Sequence, residues 1–143
     1  QGSIDLNLSP LDREVFVVTA INLDPTAPDN VDKTNTAVAA SLTTTSQTAV
    51  SNLSNANCMA TANLDIRSVQ GTGIAVPFTR NGMETPPATL EYIGIIATND
   101  FFVQIQGTSN SGAKRVSGKL YGYRAAASAD IYAALVQSEV LSA

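Results

Sequence analysis

Residues 90–124 read LEYIGIIATNDFFVQIQGTSNSGAKRVSGKLYGYR, and this stretch sets the expectation for the whole chain. Three apolar, β-prone runs are separated by two turn-like segments, Asn99-Asp100 and the loop at 107–113. Five of the eight Phe and Tyr residues lie here. In the first run Tyr92, Gly94 and Ile96 alternate with Ile93, Ile95 and Ala97. In the second, Phe101, Val103 and Ile105 face one way, and Phe102, Gln104 and Gln106 the other. In the third, Val116, Gly118, Leu120 and Gly122 share a face opposite Lys119, Tyr121 and Tyr123. Such period-two patterning predicts a three-stranded meander. Phe101, Val103, Ile105, Val116 and Leu120 are then expected in the sheet interior. Gly118 and Gly122 inside a strand point to bulges, bends or close backbone approach.

Upstream, residues 13–23 (REVFVVTAINL) form the other strong strand. Val15, Val17, Thr19, Ile21 and Leu23 fall on one side, and Phe16, Val18 and Ala20 on the other. Both sides are apolar, which predicts a central strand covered on both faces. Residues 1–10 alternate Ile4, Leu6 and Leu8 with polar residues up to Pro10, as in an edge strand or an arm laid on a neighbour. The start at Gln1 is compatible with processing of a longer precursor or with residues added in cloning.

Residues 34–64 contain no charged side chain; Lys33 and Asp65 bracket them. Thr36, Val38, Ala40, Leu42 and Thr44 alternate in a strand near 36–45, with further strands expected at 47–53 and 58–66. Strand edges are usually guarded by charge or proline. A charge-free, β-rich segment is therefore expected to be covered by a second subunit. Ile74–Thr79 reads as a short strand, Gly71-Thr72-Gly73 and Asn81-Gly82 as turns, and 84–87 as extended loop. From Ala125 the period changes. Ser128 is an N-cap candidate and Asp130 opposes the helix dipole. Ile131, Ala134, Leu135 and Ser138 make one stripe, and Tyr132, Val136 and Val140 an adjacent one. Seven or eight short strands and a final helix predict one all-β domain, residues 1–143: an antiparallel β-sandwich or jelly-roll-like barrel with a C-terminal α-helix at 126–143.

Composition excludes most chemistry. The 143 residues are 44% hydrophobic but only 14% charged, with no His, no Trp and one cysteine. Ser-His, Cys-His and Cys/His zinc constellations are thereby excluded. Cys58 has no basic neighbour in sequence to activate it. The twelve acids single out no pair for glycoside hydrolysis. A non-enzymatic protein with no cofactor is expected, with no catalytic, cofactor-binding or metal-ligating residue assigned. The one acidic loop cluster, Asp24, Asp29 and Asp32 with Asn30 and Asn35, offers oxygen ligands for calcium, without the EF-hand spacing. Four of the eight basic residues, Lys114, Arg115, Lys119 and Arg124, fall close together. With a net charge of −4 they favour a solvated hairpin or pairing with a neighbouring subunit over nucleic acid. Asn7-Leu8-Ser9 and Asn52-Leu53-Ser54 match the N-glycosylation pattern, which matters only in a secretory compartment. No run reaches the roughly twenty apolar residues of a membrane span.

Low charge with high apolar content suits a subunit that buries its outside against copies of itself. Residues 13–29 (REVFVVTAINLDPTAPD), 90–110 (LEYIGIIATNDFFVQIQGTSN) and 116–125 (VSGKLYGYRA) resemble small virion structural proteins of the capsid type, from environmental or phage-like viruses. The resemblance implies a virion subunit that self-assembles in many copies into a shell, with itself and other virion proteins as partners. No basic arm precedes Arg13, a departure from genome-binding capsid proteins. Interfaces would then use residues 34–64, the N-terminal arm and the C-terminal helix. Two alternatives follow from the residues themselves. One is an extracellular filament or surface-layer subunit, in which Ile4–Leu8 completes a neighbour's sheet. The other is a monomeric carbohydrate-binding sandwich using Tyr121 and Tyr123.

Overall fold

A computed structural model describes residues 1–68, 74–82 and 91–141, with no side-chain detail for 80–82. The expected turn at 71–73, the loop at 84–87 and Leu90 lie outside the described residues. Eight strands precede one helix: β1 (Gly2–Asp5), β2 (Glu14–Pro25), β3 (Thr36–Thr43), β4 (Cys58–Ser68), β5 (Ala75–Gly82), β6 (Gly94–Ile96), β7 (Asp100–Thr108), β8 (Val116–Ala126) and α1 (Ala129–Leu141). They form two antiparallel sheets, ordered β1-β7-β3-β4-β5 and β6-β2-β8, packed as a sandwich. The sheets do not close, so the sandwich expectation holds and the barrel one does not.

The segment 90–124 is not a meander. β6 and β8 flank β2 in the three-stranded sheet, while β7 between them pairs with β3 and β1 in the other. The Asn99-Asp100 turn carries the chain across the sandwich instead of folding it back on its own sheet. The N-terminal strand resolves as an edge strand of its own subunit, with Ile4 opposite Phe101. Asn81 and Gly82 continue β5 opposite Ala62 and Thr61 and make no turn within it.

β2 is covered on both faces, but its alternation breaks midway. The pairing with β8 shifts between Val18 and Ala20, a bulge at Thr19. Thr19 is the extra residue, and its hydroxyl donates to the Tyr121 carbonyl at 3.1 Å. Inserting one residue moves every later side chain to the opposite face. Phe16 and Val18 therefore share the inter-sheet core with Ile21 and Leu23, alongside Leu42, Ala60, Ile96 and Phe101. Val15 and Val17 point the other way and pack with Ala97 beneath Tyr132, Leu135 and Val136 of α1. The helix thus forms a third layer on the outer face of the small sheet.

That helix begins as expected: the Ser128 hydroxyl accepts the Ile131 N–H at 3.3 Å. Its packed face is Tyr132, Leu135, Val136 and Glu139, drawing on both expected stripes, while Ile131 and Val140 are exposed. The reading missed Glu139. Its side chain is buried and accepts the Ala97 N–H at 2.6 Å, the Thr98 N–H at 3.1 Å and the Thr98 hydroxyl at 2.6 Å. One carboxylate therefore ties the last turn of α1 to the segment between β6 and β7.

The charge-free region is explained mainly within the subunit. β3 lies in the middle of the larger sheet, and Thr36, Val38, Ala40, Leu42 and Thr44 are all buried. Its other face is covered too: Ser41 and Thr43 have no exposed surface. The Ser41 hydroxyl donates to Gln104 Oε1 at 2.7 Å and accepts the Ser51 N–H at 3.1 Å. The strand expected at 47–53 is absent. Ser and Asn side chains there bond the local backbone, as Asn52 Oδ1 does with the Ser54 N–H at 2.9 Å, and so compete with a sheet ladder.

Candidate functional site

The two sheets differ by two strands, and the mismatch falls on one side. β7 and β1 extend beneath the outer strand of the small sheet, β8, and leave an open cleft of about 640 Å³. Ile4, Phe101, Val103 and Ile105 line it from the larger sheet, and Val116 and Leu120 from β8. These include the five residues expected to build a sealed interior. Phe101 is buried, but Val103, Ile105, Val116 and Leu120 are only half-buried. The consecutive run Arg115–Leu120 lines the cleft, so its wall includes the β8 backbone.

β8 also stands apart from the other sheet edges. β1 and β6 have four and three residues, too short to template much pairing. β5 is longer but is blunted by Pro77. The Ser68 N–H bonds Asn35 Oδ1 at 2.8 Å, which turns the backbone of Ser68 toward the β3 side. Alternate residues of an antiparallel strand turn to opposite neighbours. Val76 and Phe78 therefore face β4, and Pro77, which has no N–H, sits on the outward edge. β8 has eleven residues, with β2 as its one sheet neighbour among the described residues. The Thr26 N–H donates to the Arg115 carbonyl at 2.8 Å, and the Ala127 N–H to the Arg13 carbonyl at 3.0 Å. Odd-numbered residues therefore serve β2. Val116, Gly118, Leu120 and Gly122 direct their N–H and C=O groups to the open edge, and their side-chain positions face the cleft side.

Both glycines are close-approach positions. A Cβ on Gly122 would run into the Val17 carbonyl oxygen and lie 2.6 Å from the Phe16 ring. On Gly118 it would lie 2.6 Å from the Asn22 carbonyl oxygen. The Phe16 ring lies over the gap that Gly122 leaves. The far end of β8 is closed by Arg124, whose guanidinium donates to the Leu6 carbonyl at 2.6 Å and the Asn7 carbonyl at 3.0 Å and pairs with Glu14 at 2.9 Å.

The structure separates the basic cluster. Lys114 is paired with Asp29 at 2.7 Å and Arg124 with Glu14, while Arg115 and Lys119 are exposed, and alternation along β8 puts Lys119 on the outer face with Tyr121 and Tyr123. The acidic cluster is separated as well. Asp29 accepts the Lys114 ammonium, the Ser111 N–H and hydroxyl at 3.0 Å, and the Gly112 N–H at 3.2 Å. The lysine contact first, and then the Ser111 bonds, hold its carboxyl down at about 2 against an ordinary 3.8. Asp29 is thus a clip between the β2–β3 and β7–β8 loops. Asp24 lies in β2 opposite Ser117, away from it. Among the described residues no three His, Cys, Asp or Glu side chains converge on a metal-sized site.

Cys58 is half-buried; burial pushes its thiol up, and the Sγ–H faces the Ala60 carbonyl at 3.6 Å. Asn7 and Asn52, the two glycosylation-pattern asparagines, are both exposed. Tyr121 and Tyr123 lie on the outer face of β8 and are 45% and 56% exposed, enough for a ligand to reach both rings. Among the described residues, no helix is long and apolar enough to cross a membrane. Comparison with protein families, with curated proteins and with solved structures finds no match.

Proposed function

We propose that this protein is a structural subunit that self-associates in many copies, of the capsid type that its sequence resembles, and acts in a virion. The observation that carries the self-association is the open side of the sandwich. An eleven-residue strand whose outer edge is paired with no strand among the described residues stands beside an apolar cleft. Natural sheets blunt such edges unless something covers them. Apolar side chains are exposed on other faces as well: Val76 and Phe78 on β5, and Ile131 and Val140 on α1. A shell subunit needs several distinct contact surfaces because it touches several neighbours, whereas a two-fold dimer needs one.

The β8 edge, unpaired by any strand among the described residues, also favours a second reading, an extracellular filament or surface-layer subunit assembled by strand addition. In both readings the partner is a further copy of the chain and the protein performs no catalysis. Electron microscopy of the purified protein over a range of concentrations separates them. Closed particles support the shell, fibres support the filament, and a monomer at every concentration removes both.

A further inference from the structure

Two tripeptides carry the Asn-x-Ser glycosylation pattern, Asn7-Leu8-Ser9 and Asn52-Leu53-Ser54, and the fold treats them in opposite ways. The first is clamped. Asn7 has a left-handed φ of 52°. Its carbonyl accepts the Arg124 guanidinium at 3.0 Å, and the Leu8 N–H donates to Asn99 Oδ1 at 2.8 Å. The Leu8 side chain is buried. Ser9 is held as well: its carbonyl accepts the Glu14 N–H at 3.1 Å and its hydroxyl the Asp12 N–H at 3.4 Å.

The second tripeptide stands clear of the sandwich. Asn52, Leu53 and Ser54 are all exposed, Leu53 by 52%. Among the described residues their hydrogen bonds reach no further than Asn55. Asn52 Oδ1 accepts both the Ser54 N–H, at 2.9 Å, and the Ser54 hydroxyl. The Asn52 carbonyl accepts the Asn55 N–H at 3.1 Å. No described residue bonds Asn52 Nδ2, the atom that a glycan would occupy. A transferase must draw the acceptor tripeptide into its own cleft as a strip of chain. At residues 52–54 this breaks local bonds alone. At residues 7–9 it would pull Leu8 from the interior and break the ties to Arg124 and Asn99, a much larger opening of the fold.

We propose that Asn52 is an N-glycan acceptor in the folded protein and that Asn7 is not. Asn52 Nδ2 attacks C1 of an oligosaccharide carried on a lipid diphosphate. The Nδ2–C1 bond forms and one Nδ2–H bond breaks, its proton passing to a base of the oligosaccharyltransferase. The C1–O bond breaks, and the lipid diphosphate leaves with the electron pair. The proposal rests on the presentation of the two tripeptides and is independent of how copies associate.

The test incubates the folded, intact chain with a purified oligosaccharyltransferase of Asn-x-Ser/Thr specificity and its lipid-diphosphate oligosaccharide. Peptide mass mapping then reads the modified sites. A glycan on Asn52 alone is expected. Asn52→Gln and Ser54→Ala should each abolish it, and Asn7→Gln should leave its occupancy unchanged. Thermal unfolding of Asn52→Gln should match wild type, so that loss of the glycan is not loss of the fold. An unmodified wild type overturns the proposal, and so does occupancy at Asn7 equal to that at Asn52. Modification that survives Ser54→Ala overturns it as well, since the tripeptide would then not be what the transferase reads.

Discussion

Replacing Glu139 by glutamine probes the contact that fixes α1 to the sandwich. The carboxylate accepts three hydrogen bonds, from Ala97 N–H, Thr98 N–H and the Thr98 hydroxyl. Glutamine has nearly the same shape, but one of its two terminal atoms is an NH₂ donor. At least one of the three donors must then face another donor, and the remaining bonds lose their charge assistance. Bonds to a charged group contribute about 1.5–3 kcal/mol each, and an unsatisfied buried donor costs about 1–3 kcal/mol. The expected loss is therefore ~2–4 kcal/mol. In urea, with a slope of about 1–3 kcal/mol per molar, the unfolding midpoint should fall by roughly 1–2 M with the slope unchanged. The exposed neighbour Gln137, changed to alanine, should leave the midpoint where it was. Hydrogen exchange at Ala97 and Thr98 should quicken in Glu139→Gln. A midpoint within about 0.3 M of wild type, with those amides still protected, would show that the carboxylate does not anchor the helix.

Three further predictions concern other parts of the fold. Gly122→Ala should destabilise by about 1–3 kcal/mol or prevent folding, because the new methyl meets the Val17 carbonyl and the Phe16 ring; a thermal scan matching wild type would contradict that packing. Asp29→Asn should lower stability at neutral pH. The Asp29 pKa falls from its ordinary 3.8 to about 2 on folding, so its contribution is full above the ordinary value and is lost as pH drops from about 4 to 2. Unfolding curves of wild type and variant should therefore converge at the acid end, and a gap that widens there would reverse the assignment. Tyr121→Ala should leave a glycan array as it was for wild type; saturable sugar binding that this variant abolishes would favour the carbohydrate-binding alternative over assembly.

Much of the architecture is written in local pattern. The apolar residues on both sides of residues 13–23 announced a strand covered twice, and the change of period after Ala125 announced the helix and its Ser128 cap. Thr36 to Thr44 alternated as the structure has them. What failed depends on partners far away in sequence. A two-residue turn at Asn99-Asp100 looks the same whether the chain folds back within a sheet or crosses to the other one, so β7 was placed between the wrong neighbours. The bulge at Thr19 leaves no mark in an already apolar strand, yet it moved Ile21 and Leu23 to the face of Phe16 and Val18. Glu139 read as a polar helix position because its three donors lie about forty residues earlier. The missing charge in residues 34–64 was a real signal of burial, but β4, β7 and the segment after Thr43 supply the cover that had been assigned to a neighbour. Of the candidate site, Val116, Gly118, Leu120 and Gly122 were placed on one face correctly. That this face opens onto an uncovered cleft follows only from the unequal number of strands in the two sheets.

The central claim is that copies of this chain cover one another's open side. Sedimentation velocity of the purified protein over a wide concentration range, with electron microscopy of the same samples, measures this directly. Particles of many copies, growing at the expense of monomer as concentration rises, are the predicted result. A single monomeric species at every concentration would contradict it.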